Sequence, residues 1–107
     1  MHTVVVGPRA KREIKKLAKQ DQRRIIRKME ALANDPRPHG VEKLSQSPRF
    51  WRIRVGDYRI IYAIEPDKEI VVILIIRHRR DAYRDVATLE AALSSLDLTT
   101  LVSAHLE

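Results

Sequence analysis

Apolar positions along the chain change rhythm twice. Residues 2–6, HTVVV, form a short β-branched run that stops at Gly7-Pro8, which predicts a first strand and a break. Pro8 suits the first position of a helix, where its missing N–H costs nothing. Ala10, Ile14, Leu17 and Ala18 then recur at i, i+4, i+7 and i+8, one apolar stripe on a segment otherwise rich in Lys and Arg. Asp21 is the expected N-cap of a second helix, in which Ile25, Met29, Leu32 and Ala33 repeat that spacing. The stretch DPRPHG, Asp35 to Gly40, ends it. Two such helices in succession predict an antiparallel hairpin with one apolar side. Their basic outer faces need nothing more than solvent.

From Phe50 the period falls to two. Trp51, Ile53 and Val55 alternate with Arg52 and Arg54, and Tyr58, Ile60, Tyr62 and Ile64 alternate with Arg59, Ile61 and Ala63. Gly56-Asp57 separates the runs and reads as a two-residue hairpin turn with Gly first. A second turn at Glu65-Pro66-Asp67-Lys68 leads into EIVVILII, a β-branched run typical of a central strand. The predicted order is β-α-α-β-β-β, an α+β fold in which a strand and two-helix hairpin pack on an antiparallel sheet, with a C-terminal helix following.

Composition narrows the picture. A chain of 107 residues suits one domain. There is no cysteine, which excludes disulfides, zinc ribbons and thiol nucleophiles and fits a reducing compartment. The longest apolar run, Ile70 to Ile76, is seven residues, far short of the roughly 20 of a membrane helix. MHTVVVGPRAK lacks the apolar core of a secretory signal, so a cytoplasmic location without membrane association is expected.

The net charge of +7 conceals a division. Residues 1–84 carry all 21 Lys and Arg and a balance of +11, whereas residues 85–107 carry four acids and no Lys or Arg. Isoleucine also vanishes after the boundary, and leucine takes over. This marks a basic body over 1–84 and an acidic, leucine-rich helical tail over 85–107. The body's charge points to a polyanionic partner such as nucleic acid.

Part of that charge has a definite place. With Gly56-Asp57 as the loop, Val55 pairs with Tyr58, Arg54 with Arg59 and Arg52 with Ile61. Alternation then puts Arg52, Arg54 and Arg59 on one sheet face, and the apolar partners on the side of the helices. Arginines directly across a ladder destabilise a sheet by about 0.2–1 kcal/mol. Neither strand run supplies an acid on that face. Bidentate phosphate binding by the planar guanidinium accounts for the arrangement better than snorkelling or ion pairing does. The third strand ends in IIRHRRDAYR, where Arg77, Arg79, Arg80 and Arg84 accompany His78 and Tyr83. Arginines hold phosphate, a tyrosine can stack on a base, and a histidine exchanges protons near neutrality. A turn joining Glu65 to Lys68, or Ile64 to Glu69, would place His78 on the face of Arg59. His2, His39 and His105 are scattered, without metal-ligand spacing.

These features together resemble the RelE/ParE superfamily of toxins of type II toxin–antitoxin systems. The resemblance covers residues 2–84 and is carried by the two-helix opening, NDPRP, FWRIRVGDYRIIY and RHRRDAY. Its RelE branch implies a ribosome-dependent endonuclease that enters the A site and cuts mRNA, the 2′-hydroxyl attacking its own phosphate. By correspondence, Arg52 and Arg54 match a basic pair that is lysine in RelE, and Arg59, Arg79 and Tyr83 match the phosphate-holding and base-stacking positions. Lysine can be tuned to accept a proton, but arginine stays charged. Catalysis is then electrostatic and positional, or His78 exchanges the protons, with Lys43 a distant third candidate. Lys43, Arg77, Arg80 and Arg84 complete the expected RNA-binding set. The resemblance implies no metal or organic cofactor, and it implies a cognate antitoxin, a small acidic protein covering the basic face. Two alternatives stand beside it: a ParE-like inhibitor of DNA gyrase without nuclease activity, and an RNA-binding module without chemistry.

In the tail, Val86, Leu89, Leu93 and Leu96 follow helical spacing. The expectation is a helix whose leucines bury on the sheet or on a second protomer by self-association. Packed near the arginines, the acidic tail would compete with an anionic ligand.

Overall fold

A computed structural model describes residues 1–44 and 49–78, together with Leu89, Ala91 and Leu93. Its elements are β1 (Thr3–Val6), α1 (Pro8–Lys15), α2 (Lys19–Ala31), β2 (Glu42–Lys43), β3 (Phe50–Val55), β4 (Tyr58–Glu65) and β5 (Ile70–His78). Pro8 opens α1 as its residue type favours. The cap of α2 is Ala18, so Asp21 lies in the first turn, where its charge suits the positive end of the helix.

The five strands run in the order β1-β5-β4-β3-β2. The β3–β4 hairpin has the expected register, with Arg54 opposite Arg59 and Val55 opposite Tyr58. Gly56 takes φ 59°, the left-handed conformation a two-residue turn needs at its first position. A Cβ there would meet Arg24 Nη1 at 3.2 Å, so α2 leans on the hairpin tip. Two features correct the expected sheet. β1 runs parallel to β5, which makes the sheet mixed. The two-residue β2 adds an edge beside β3, with Glu42 opposite Arg52 and Lys43 opposite Trp51.

β5 lies between β1 and β4 and is buried on both faces through Ile76, hence its unbroken apolar run. On one face Ala10, Ile14, Ile25, Met29 and Leu32 of the helix hairpin meet Ile53, Ile60, Tyr62, Val71 and Ile73. The other face carries a second core. There Phe50, Ile61, Ala63, Val72 and Leu74 gather with Leu44, Leu89 and Leu93. Leu89, Ala91 and Leu93 are helical, and both leucines are buried. The arginine face is therefore basic at the hairpin end and apolar at the other.

The β4–β5 connection differs from both expected turns. Glu65 pairs with Ile70, because a 3-10 turn over Pro66–Lys68 and a left-handed Glu69 (φ 54°) occupy four loop positions. Further along, Ile61 pairs with Ile75 but Tyr62 with Ile73, so Leu74 is an inserted bulge residue. Beyond β1 the free edge of β5 is met by α1, where the Ile76 backbone N–H donates to Glu13 Oε1 at 3.0 Å.

Candidate nucleic-acid interface

One residue of slip turns every later side chain of a strand to the opposite face. The Leu74 bulge has that effect on the end of β5. It places Arg77 opposite Arg59 and His78 opposite Tyr58. The expectation that His78 shares a face with Arg59 is thereby corrected: His78 lies on the helix side, its ring perpendicular to that of Tyr58 with centroids 5.5 Å apart. Arg77 takes the place on the arginine face.

Arg54, Arg59 and Arg77 now form one row across β3, β4 and β5. Neighbouring strands lie about 4.8 Å apart, so the row spans on the order of 10 Å at the backbone. Arg54 is exposed, while Arg59 and Arg77 are half-buried. One level along, the order across the sheet is Glu42, Arg52, Ile61, Ile75. Arg52 Nη2 donates to Glu42 Oε2 at 2.6 Å. That hydrogen bond and the charge of Arg52 hold the Glu42 carboxyl below the usual carboxylate range, with smaller contributions from Arg59 and Arg54.

An acid therefore does stand on this face. Glu42 was not legible from β3 and β4, because a two-residue edge strand carries no period of its own; Glu65, the last residue of β4, follows Arg59, Ile61 and Ala63 onto the same face. Only the pairing of 42–43 with 51–52 turns Glu42 toward Arg52. At the far end of the same face, Glu65 lies 3.8 Å from Arg49. Lys43, opposite Trp51, lies on the helix side, away from the arginine row. Arg79, Arg80, Tyr83 and Arg84 lie outside the described residues.

The row can seat an anion. Guanidinium groups side by side match phosphate oxygens in a bidentate fashion, and three fixed cations stabilise charge that builds on a phosphoryl group. None of them can accept a proton.

The sequence and the fold both have known relatives. A relative in Methanocaldococcus jannaschii that bears the toxin name RelE1 is 26% identical over 85 residues, covering 77% of this chain and 94% of the relative. The archaeal RelE–RelB complex of Pyrococcus horikoshii OT3 contains a chain of similar fold, with TM-score 0.68 and 27% identity over 76% of this chain and 98% of that one. The toxin–antitoxin complex RelBE2 of Mycobacterium tuberculosis gives 0.65 and 26% over 73% and 98%. The family profile of the ParE toxin of type II toxin–antitoxin systems, parDE, matches residues 4–83, a span that takes in the helix hairpin, the sheet and the arginine row. The chain belongs to this toxin family, within the RelE/ParE superfamily.

Proposed function

We propose that the chain is a RelE-type toxin that acts in the cytoplasm as a ribosome-dependent mRNA endonuclease and is neutralised by a cognate antitoxin. The observation that carries this reading is the Arg54–Arg59–Arg77 row. A protein-docking surface has little use for aligned arginines that cost the sheet stability, whereas a transesterification at phosphorus needs fixed cations around its developing charge. In the proposed reaction the row holds the scissile phosphate and the ribose 2′-oxygen attacks that phosphorus. The bond to the 5′-oxygen breaks, leaving a 2′,3′-cyclic phosphate and a free 5′-hydroxyl. Arg79 and Tyr83 are proposed to complete the site, as charge stabiliser and base-stacking ring, and Arg80 and Arg84 to extend the RNA contact.

The antitoxin is proposed to be an acidic protein that covers the same face. The relatives solved as RelE–RelB and RelBE2 complexes support such a partner. The ParE name of the family favours a second reading, inhibition of DNA gyrase. Primer-extension mapping of mRNA during expression separates the two. Cuts at A-site codons that vanish in Arg59→Ala and Arg79→Ala are the expected result. Intact mRNA with inhibited DNA supercoiling would establish the gyrase reading instead.

A further inference from the structure

The motif NDPRP and the tryptophan of β3 have no part in the arginine row, yet the fold brings them together. The guanidinium carbon of Arg37 lies over the Trp51 ring, 5.1 Å from its centroid. Trp51 is on the helix side of β3, three residues from Arg54. The stack therefore sits about 10 Å along the strand from the row and on the reverse face of the sheet. Lys43 stands across the ladder from Trp51 and is exposed beside it.

The segment that carries Arg37 is held by other means. Pro36 and Pro38 flank it and narrow its backbone freedom. The Pro36 carbonyl accepts from the Tyr62 hydroxyl at 2.7 Å, and the Arg37 backbone N–H donates to Asp35 Oδ1 at 3.2 Å. With the loop anchored through its backbone, the cation–π contact is not needed to keep it on the sheet. No carboxylate among the described residues pairs with the Arg37 guanidinium. Arg37 is exposed, so one side of its guanidinium rests on Trp51 and the other is open to solvent.

We propose that the Arg37–Trp51 stack is a second RNA subsite, in which an unpaired base stacks on the open side of the Arg37 guanidinium and Lys43 holds an adjoining phosphate. It rests on the reading that the target is RNA and extends that reading to the face of the sheet opposite the row. Bases stack on guanidinium planes as they do on aromatic rings, and the charge adds to the attraction. Trp51 orients Arg37 before the base arrives, so little side-chain freedom is lost on binding. The row and the stack lie on opposite faces, separated only by the short β2 edge, and so take hold of different nucleotides.

Trp51 is the only tryptophan, so its emission reports on the stack in the intact chain. The probes are a short oligoadenylate and an abasic oligomer of equal length, titrated at low salt. Oligoadenylate is expected to change the emission saturably, and the abasic oligomer to bind more weakly and leave the emission nearly unchanged. Arg37→Ala is expected to bind oligoadenylate about 5- to 150-fold more weakly, the range for one stacked base. Arg37→Lys keeps the charge and the backbone anchors but loses the plane. It should lose most of the preference for oligoadenylate over the abasic oligomer while keeping the parental salt dependence. Arg12→Ala removes the same charge from an exposed position on α1, the helix that meets β5, and is expected to bind as the parent does. Equal binding of the two oligomers, parental affinity in Arg37→Lys, or an equal loss in Arg12→Ala would each overturn the subsite. Any of these in a parent that cuts mRNA on the ribosome leaves the endonuclease reading intact. A parent that neither cuts mRNA nor binds either oligomer would overturn both.

Discussion

His78 faces Tyr58 across the β4–β5 ladder, their ring centroids 5.5 Å apart and their planes at 88°. The contact is edge-to-face, the arrangement favoured by the charge distribution of aromatic rings. It places the imidazole on the opposite side of the sheet from Arg54 and Arg59. His78→Ala is therefore expected to cleave RNA within a few-fold of the parental rate, with a stability loss of about 1 kcal/mol in urea unfolding. A loss of activity on the scale of a missing acid or base would put the imidazole back in the mechanism.

Arg54 and Arg59 present the opposite balance. They are direct cross-strand partners of like charge, so the sheet holds them at a cost. Arg54→Thr is expected to raise stability by up to about 1 kcal/mol while weakening RNA binding. Its binding should also depend less on salt, the slope against log salt falling by about 0.7 for one lost phosphate contact on a single strand. Unfolding and salt-titrated binding of the same variant measure both effects. A variant less stable than the parent would mean that Arg54 has a role in the sheet beyond charge.

Much of this site was legible because it is local. The Gly56-Asp57 turn sets the β3–β4 register by itself, and Arg54 opposite Arg59 follows from alternation. The misplacement of His78 has a single cause. The parity of the β4–β5 turn was right, since Glu65 opposite Ile70 and Ile64 opposite Glu69 lead to the same faces. Leu74 then inserts one residue into a run where every position is apolar, so no polar residue betrays the slip. The same insertion brings Arg77 into the row. Glu42 was hidden for a different reason, since its orientation depends on a pairing ten residues distant. The second core was hidden too, because Phe50, Ile61 and Ala63 share their face with the arginines and alternation alone does not say where basic gives way to apolar.

Where β1 ends, the edge of β5 needs an acceptor, and Glu13 of α1 provides it for the Ile76 N–H at 3.0 Å. A partly buried backbone N–H deprived of its acceptor costs about 1–3 kcal/mol. Glu13→Ala is expected to lose stability in that range, and Glu13→Gln to lose much less, because its amide oxygen still accepts. Hydrogen exchange at Ile76 reads the same contact directly, with faster exchange in Glu13→Ala. Equal stability in the two variants would show that the bond to Ile76 contributes nothing.

Tyr62 joins the sheet to the loop that closes the helix hairpin, its hydroxyl donating to the Pro36 carbonyl at 2.7 Å. Tyr62→Phe should cost about 1 kcal/mol, the net worth of one such bond. The variant also separates a pH effect. Burial raises the Tyr62 phenol well above its ordinary value, Asp35 pushes it in the same direction, and Arg37 opposes them more weakly. A phenol whose folded pKa is raised binds its proton more tightly in the folded state. Its contribution is therefore complete below the unfolded value of about 10 and is lost progressively as pH rises beyond it. Above that point the parent's stability is expected to fall more steeply than that of Tyr62→Phe, by up to about 1.4 kcal/mol per pH unit. Urea unfolding of both proteins between pH 8 and 11.5 makes the comparison, and parallel curves across that interval would mean that the ring ionises as freely in the folded chain as in the unfolded one.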